Sequence, residues 1–222
     1  MMRTVVFDLD GTLADTGADL IHAANACFGA RGLGDLLDPE ADKGIGMKGG
    51  RAMLTAGFTR QYGAADEAMV LEDYPRLLEY YAENIDVYTR MFPGAVDAIT
   101  RLRNAGYAVG ICTNKPEGLA ETLLSRLGVR DLFDALIGAD TLSERKPHPM
   151  PLIETVKRLG GDISRTVQVG DTITDHKTAR ACNVASLLVT FGPDGEKVNE
   201  LQPDALLTDY EELQDVVADL IG

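Results

Sequence analysis

Short β-branched or apolar runs recur along this chain, at Thr4 to Leu9, Tyr107 to Cys112, Ala135 to Ile137, Thr166 to Val169 and Ala185 to Thr190. Each ends in small or acidic residues and gives way to a segment of helical period. The helical segments can be read from their apolar faces: Val96, Ile99 and Leu102 before Gly106; Leu119, Leu123 and Leu127 before Gly128; Leu152, Val156 and Leu159 before Gly160. Strands that alternate with helices stopping at glycine indicate an α/β fold, a parallel sheet with helices on both faces.

From Asp15 to about Tyr88 the alternation breaks down. Helical segments at Asp19 to Ala30, Gly50 to Tyr62 and Asp66 to Asn84 follow one another with glycine-rich or acidic loops and no convincing strand. The economical organisation is an all-helical domain spanning 15–88, inserted after the first strand of a core built from 1–14 and 89–222. A closing amphipathic helix is expected over Asp209 to Ile221, where Leu213, Val216, Val217 and Leu220 share a face.

Charge narrows the function. With 21 Lys+Arg against 35 Asp+Glu the formal charge is −14 over 222 residues, a sign that argues against a nucleic-acid partner. Cys27, Cys112 and Cys182 are too far apart for a Cys-x-x-Cys pair, and their odd number fits free thiols in a reducing compartment. No apolar run approaches the roughly 20 residues needed to span a bilayer, and the residues before Val5 do not form a signal peptide. The expectation is a cytoplasmic protein without a membrane or nucleic-acid partner.

Four constellations carry chemistry, each just past an expected strand. In Val5-Val6-Phe7-Asp8-Leu9-Asp10-Gly11-Thr12 a buried strand runs into two carboxylates spaced i, i+2, which point to the same side of an extended chain. Ligands of open α/β sheets bind at the carboxyl ends of strands. Thr113-Asn114-Lys115 offers a hydroxyl and backbone donors suited to phosphate oxygens. Gly170-Asp171-Thr172-Ile173-Thr174-Asp175 opens a helix with two more carboxylates, and Lys146-Pro147-His148-Pro149-Met150-Pro151 presents a lysine on a proline-stiffened backbone. Singly these could be a turn, helix caps and a surface lysine; together and in this order they point to one site.

In these residues the chain resembles the haloacid dehalogenase superfamily, most closely its phosphoglycolate phosphatase-like members, whose signatures stand here as Asp8-x-Asp10-Gly11-Thr12-Leu13-x-Asp15, Thr113-Asn114-Lys115, Lys146-Pro147-x-Pro149-x-Pro151 and Gly170-Asp171-x-x-x-Asp175. The resemblance spans nearly the whole chain and implies a Rossmann-like core with a helical cap after the first signature. Asn183 departs from the glycine usual in relatives; asparagine is the next-best residue for a left-handed helix end.

The activity implied is a hydrolase, a phosphatase of small phosphate monoesters, with 2-phosphoglycolate the first substrate to try. Four facing carboxylates need a cation, and hard oxygen ligands favour Mg²⁺. The resemblance implies Asp8, the main-chain carbonyl of Asp10 and Asp171 as metal ligands, with Asp175 binding directly or through water. It implies Asp8 as the nucleophile that forms an aspartyl-phosphate and Asp10 as acid-base partner. Lys146 would neutralise the phosphoryl group, while Thr113 and the Asn114 backbone would hold its oxygens. An acid at Asp10 favours ester chemistry over dehalogenation, in which the leaving halide needs no proton.

In the cap, Gly44-Ile45-Gly46-Met47-Lys48-Gly49 fits Gly-x-Gly-x-x-Gly formally, but it follows the polar stretch Asp38 to Lys43 instead of a strand, which excludes a nucleotide fingerprint. It reads better as a specificity loop, with Lys48 and Arg51 placed to meet a substrate carboxylate. Two rivals are a sugar phosphomutase of the same superfamily and a receiver-like phospho-switch. The mutase cap loop typically carries Ser and Arg, and Met47 to Met53 offers Arg51 without a serine; the receiver has no use for a cap-sized insert. The partner expected is a small phosphorylated metabolite, met by a monomer or homodimer.

Overall fold

The computed structural model describes residues 2–222 and divides into two compact units, one of residues 1–14 and 91–222 and one of residues 15–90. Two-residue strands, β2 (Ala14–Asp15) and β3 (Arg90–Met91), mark the two crossings between them.

The first unit holds a six-stranded sheet in which the neighbouring strands of the described residues pair in parallel. Its strands are β1 (Met2–Phe7), β4 (Ala108–Cys112), β5 (Ala135–Ile137), β6 (Gly161–Gly170), β7 (Ala185–Val189) and β8 (Ala205–Leu207), in the order β5-β4-β1-β6-β7-β8. All five expected strands are present. The sixth, β8, is an addition: three residues at the sheet edge, too short for a periodic signal. β6 begins earlier than its apolar run suggests, because Met2 pairs with Gly161 before the register shifts and Thr4 meets Thr166.

β1 lies at the centre between β4 and β6, and Val5, Val6 and Phe7 are fully buried. An inner strand of a doubly covered parallel sheet is mainly apolar on both sides; the buried Thr4 hydroxyl is paired with that of Thr166 at 2.6 Å, and the carboxylates follow the strand's end. Helices α5 (Ala95–Asn104), α6 (Glu117–Arg126), α7 (Met150–Arg158), α8 (Ile173–Ala181) and α9 (Leu213–Ile221) flank the sheet. On one face Leu152, Val156 and Leu159 of α7 pack with Val6, Ala108, Cys112 and Ala135. The turn after α8 is left-handed at Asn183, with φ of 52°.

The second unit is built from α1 (Gly17–Ala30), the short α2 (Lys43–Gly46), α3 (Gly50–Tyr62) and α4 (Glu67–Glu83). Phe28 of α1 packs edge-on against Phe58 of α3 at 5.3 Å. Gly57 makes this approach possible, since a Cβ there would lie 2.2 Å from the Phe28 ring. The buried Asp19 carboxylate accepts the Tyr88 and Thr89 N–H groups and the Thr89 hydroxyl, fastening the end of the unit to its first helix. No described helix is long and apolar enough to cross a membrane.

Candidate active site

Three of the four signatures directly follow a strand, β1, β4 or β6, and the fourth, at Lys146, lies in the loop between β5 and α7. β1 stops at Phe7, and Asp8 continues it by donating its N–H to the Val169 carbonyl of β6 at 2.9 Å. The Asp8 carboxylate accepts the Leu9 N–H at 2.7 Å and lies 3.1 Å from the Lys146 ammonium, both contacts falling on Oδ1. Burial pushes the Asp8 carboxyl up to about 6; the Asp175 and Asp10 charges add to that rise and Lys146 opposes it.

Lys146 is almost wholly buried. Its Nζ also donates to Asp175 Oδ1 at 2.6 Å. Burial alone would weaken the ammonium, but the Asp175 and Asp8 carboxylates outweigh it and hold its pKa above the ordinary lysine value. The Asn114 side chain donates to the Lys146 carbonyl at 3.0 Å, so the second signature loop supports the third. Thr113 is buried, donates its N–H to Ile137 of β5 and accepts the Lys115 N–H at its hydroxyl.

β6 ends at Gly170, and Asp171 and Asp175 follow around the start of α8. Asp175 Oδ2 accepts the Thr172 N–H and hydroxyl, at 3.1 and 2.7 Å, and closes the first turn. Both Asp175 oxygens are therefore engaged, one with the helix start and one with Lys146. Asp171 differs. Its Oδ1 accepts the Thr12 hydroxyl at 2.9 Å, while its buried Oδ2 has no hydrogen-bond partner among the described residues. The Tyr210 hydroxyl, donating to the Thr12 carbonyl at 2.7 Å, fixes Thr12 from the C-terminal end of the chain.

Burial first, then Asp175 and Asp8, raise the Asp171 carboxyl well above the usual range. One oxygen each of Asp8, Asp171 and Asp175 lies within 4.8 Å of the others. An orphaned, buried carboxylate oxygen beside two more carboxylates is a suitable donor group for a hard divalent cation such as Mg²⁺. Gly11 keeps the space open, because a Cβ there would lie 2.3 Å from Asp171 Oδ2.

Asp10 is not among the three clustered carboxylates. Its side chain turns to Lys115, whose Nζ lies 2.7 and 3.0 Å from the two Asp10 oxygens. Lys115 is a residue to which sequence reasoning gave no role of its own within Thr113-Asn114-Lys115, yet its side chain is 3% exposed. His176, next to Asp175 on α8, is another residue without an expected role, and it is buried with Nδ1 3.0 Å from the Ser186 hydroxyl of β7.

Lys48 and Arg51 belong to the other unit. Lys48 is exposed between α2 and α3, and Arg51 is exposed in the first turn of α3 with its guanidinium 5.2 Å from the Tyr74 ring centre. The stretch Gly44 to Gly46 lies within α2, and Gly49, with φ of 91°, immediately precedes α3.

Comparison with known proteins gives a consistent picture. The family model described as haloacid dehalogenase-like hydrolase matches residues 5–189. The phosphoglycolate phosphatase of Mesorhizobium japonicum is 37% identical over 213 residues, covering 94% of this chain and 92% of that protein. The phosphoglycolate phosphatase of Xanthomonas campestris pv. campestris is 40% identical over 190 residues, covering 86% and 84%. A crystal structure of a predicted phosphoglycolate phosphatase from Haemophilus somnus 129pt shares the fold, with a TM-score of 0.85 over 97% of each chain at 23% identity.

Proposed function

Since this chain belongs to the haloacid dehalogenase-like hydrolase family, we propose that it is a Mg²⁺-dependent phosphatase of small phosphate monoesters, with 2-phosphoglycolate its best candidate substrate. The observation that carries this reading is the convergence of Asp8 and Asp171, at the ends of the adjoining strands β1 and β6, with Lys146 from the loop before α7, one Asp171 oxygen being buried and unsatisfied. The curated relatives at 34 to 40% identity, named phosphoglycolate phosphatases, support the substrate class.

The Asp8 and Asp171 carboxylates and the Asp10 main-chain carbonyl would hold the cation. Asp175, with both oxygens engaged, stands behind them to orient Lys146 and the start of α8. When bound, the cation offsets negative charge on the phosphoryl oxygens.

Asp8 has its Oδ1 fixed by the Leu9 N–H and Lys146, and attacks phosphorus through Oδ2 to form an aspartyl-phosphate. Asp10 gives a proton to the departing alcohol as the phosphorus–oxygen bond breaks, then takes one from the water that hydrolyses the intermediate. Lys146 faces the developing phosphoryl charge, and Thr113 with the Asn114 N–H receives its oxygens. In the helical unit, Lys48 and Arg51 bind the substrate carboxylate. The enzyme acts in the cytoplasm as a monomer or homodimer.

The test is phosphate release from a panel of small esters with Mg²⁺. Stoichiometric release of inorganic phosphate and alcohol, abolished by Asp8→Asn, is the expected result. Intact turnover in Asp8→Asn, or none from the wild type with any ester, defeats the reading.

A further inference from the structure

Two buried lysines divide the catalytic carboxylates between them. Lys146 reaches Asp8 and Asp175, whereas Lys115 reaches Asp10. The backbone delivers Lys115 inward. Its N–H donates to the Thr113 hydroxyl at 3.2 Å, and its carbonyl accepts the Ala139 N–H at 2.9 Å, so the main chain on both sides of its Cα is fixed to the loops after β4 and β5. Its side chain is 3% exposed against 19% for Asp10. A buried ammonium needs a close acceptor, and the two Asp10 oxygens at 2.7 and 3.0 Å supply it.

Contact with both oxygens fixes the plane and rotamer of the carboxylate. One shared ammonium can keep hold of either oxygen while the other carries the proton. On the phosphatase reading above, on which this inference rests, the proton passes from Asp10 to the ester oxygen as the phosphorus–oxygen bond breaks and the Asp8 Oδ2–phosphorus bond forms. We propose that Lys115 is a positioning residue that holds Asp10 in place for this transfer and acts through Asp10, making no contact with the phosphoryl group.

Leaving groups distinguish this role from phosphate binding. An alkyl ester leaves as a strong base and needs the proton; p-nitrophenyl phosphate and acetyl phosphate leave as weak bases and barely need it. The experiment compares wild type, Lys115→Met, Lys115→Arg and Asp10→Asn on 2-phosphoglycolate and on the two activated esters, at saturating Mg²⁺. In Lys115→Met, kcat/KM on 2-phosphoglycolate, which reports formation of the aspartyl-phosphate and not its hydrolysis, is expected to fall about 100-fold, within the range of a general acid's contribution. The loss of kcat/KM on the two activated substrates is expected to be under about tenfold, the same pattern as Asp10→Asn. Lys115→Arg, which keeps the charge, should recover at least about a tenth of the alkyl-ester rate.

Equal losses of kcat/KM on both kinds of substrate, or no change in it on either, would overturn the proposal. Should Lys115→Met fail to fold, the ratio of alkyl to activated rates in Lys115→Arg decides the matter by the same criterion. If the wild type turns over none of the esters, the phosphatase reading fails before any variant is compared.

Discussion

The Lys146 ammonium and the Asp175 carboxylate face each other at 2.6 Å with side-chain exposures of 1% and 0%. A buried pair of this kind contributes little net stability, but breaking it is costly because the surviving charge has no water to turn to. Lys146→Met leaves Asp175, Asp8 and Asp171 without their cation and should destabilise the protein by about 3 kcal/mol or more, measured by urea unfolding at pH 7.5. Adding Asp175→Asn should recover most of that loss while phosphatase activity stays abolished. Stability unchanged in the single variant would show that the pair is not a coupled buried unit.

Asp8 supplies a pH-dependent signature of the metal-free protein. Its folded pKa, raised to about 6 from an ordinary 3.8, makes a stability contribution that is fully present below about pH 4 and lost as pH rises through 6. Asp8→Asn has no charge to bury, so without metal it should be more stable than the wild type at pH 7.5, by on the order of 2 kcal/mol. That advantage should shrink as pH falls from 6 towards 4. Urea unfolding of the two proteins in chelator at pH 4.5, 6 and 7.5 measures it; a constant difference across the series would refute the assignment.

Much of this organisation is legible in the sequence because the inner strands are short, apolar on both faces and followed at once by their polar residues. Asp8, Asp171 and Asp175 could be placed at strand ends from local sequence alone. Lys115 could not, since its burial is set by Asp10, a partner 105 positions away, and by the loops that pin its main chain. His176 was hidden for a similar reason: its position on α8 is local information, whereas its contact with Ser186 depends on how α8 packs on β7. The edge strand β8 escaped because Ala205–Leu207 is held by pairing with β7 more than by its own pattern.

Thr12 controls the direction of Asp171. Its hydroxyl takes Oδ1 and leaves Oδ2 unsatisfied, while Tyr210 fixes Thr12 in turn. Supporting hydrogen bonds of this type are worth about 10-fold to 100-fold in metal affinity. Thr12→Val, nearly the same shape without the hydroxyl, should raise the Mg²⁺ concentration for half-maximal activity at least about tenfold, with kcat at saturating Mg²⁺ reduced much less. An unchanged Mg²⁺ dependence would mean that Asp171 does not need this support.

Lys48 and Arg51 are the cations proposed above to meet a substrate carboxylate. They stand at the glycine-rich entry to α3, and Arg51 stacks near Tyr74, which limits the freedom of a long side chain. A charge-assisted contact to a substrate carboxylate is worth about 1.5 to 3 kcal/mol, or roughly 10-fold to 150-fold in kcat/KM. Lys48→Ala and Arg51→Ala should therefore each lose about that factor on 2-phosphoglycolate. Ethyl phosphate, which has no carboxylate to meet them, should be turned over by both variants at close to the wild-type rate. Equal losses on the two esters would place the residues in folding of the helical unit, and wild-type kinetics in both variants would remove them from substrate recognition.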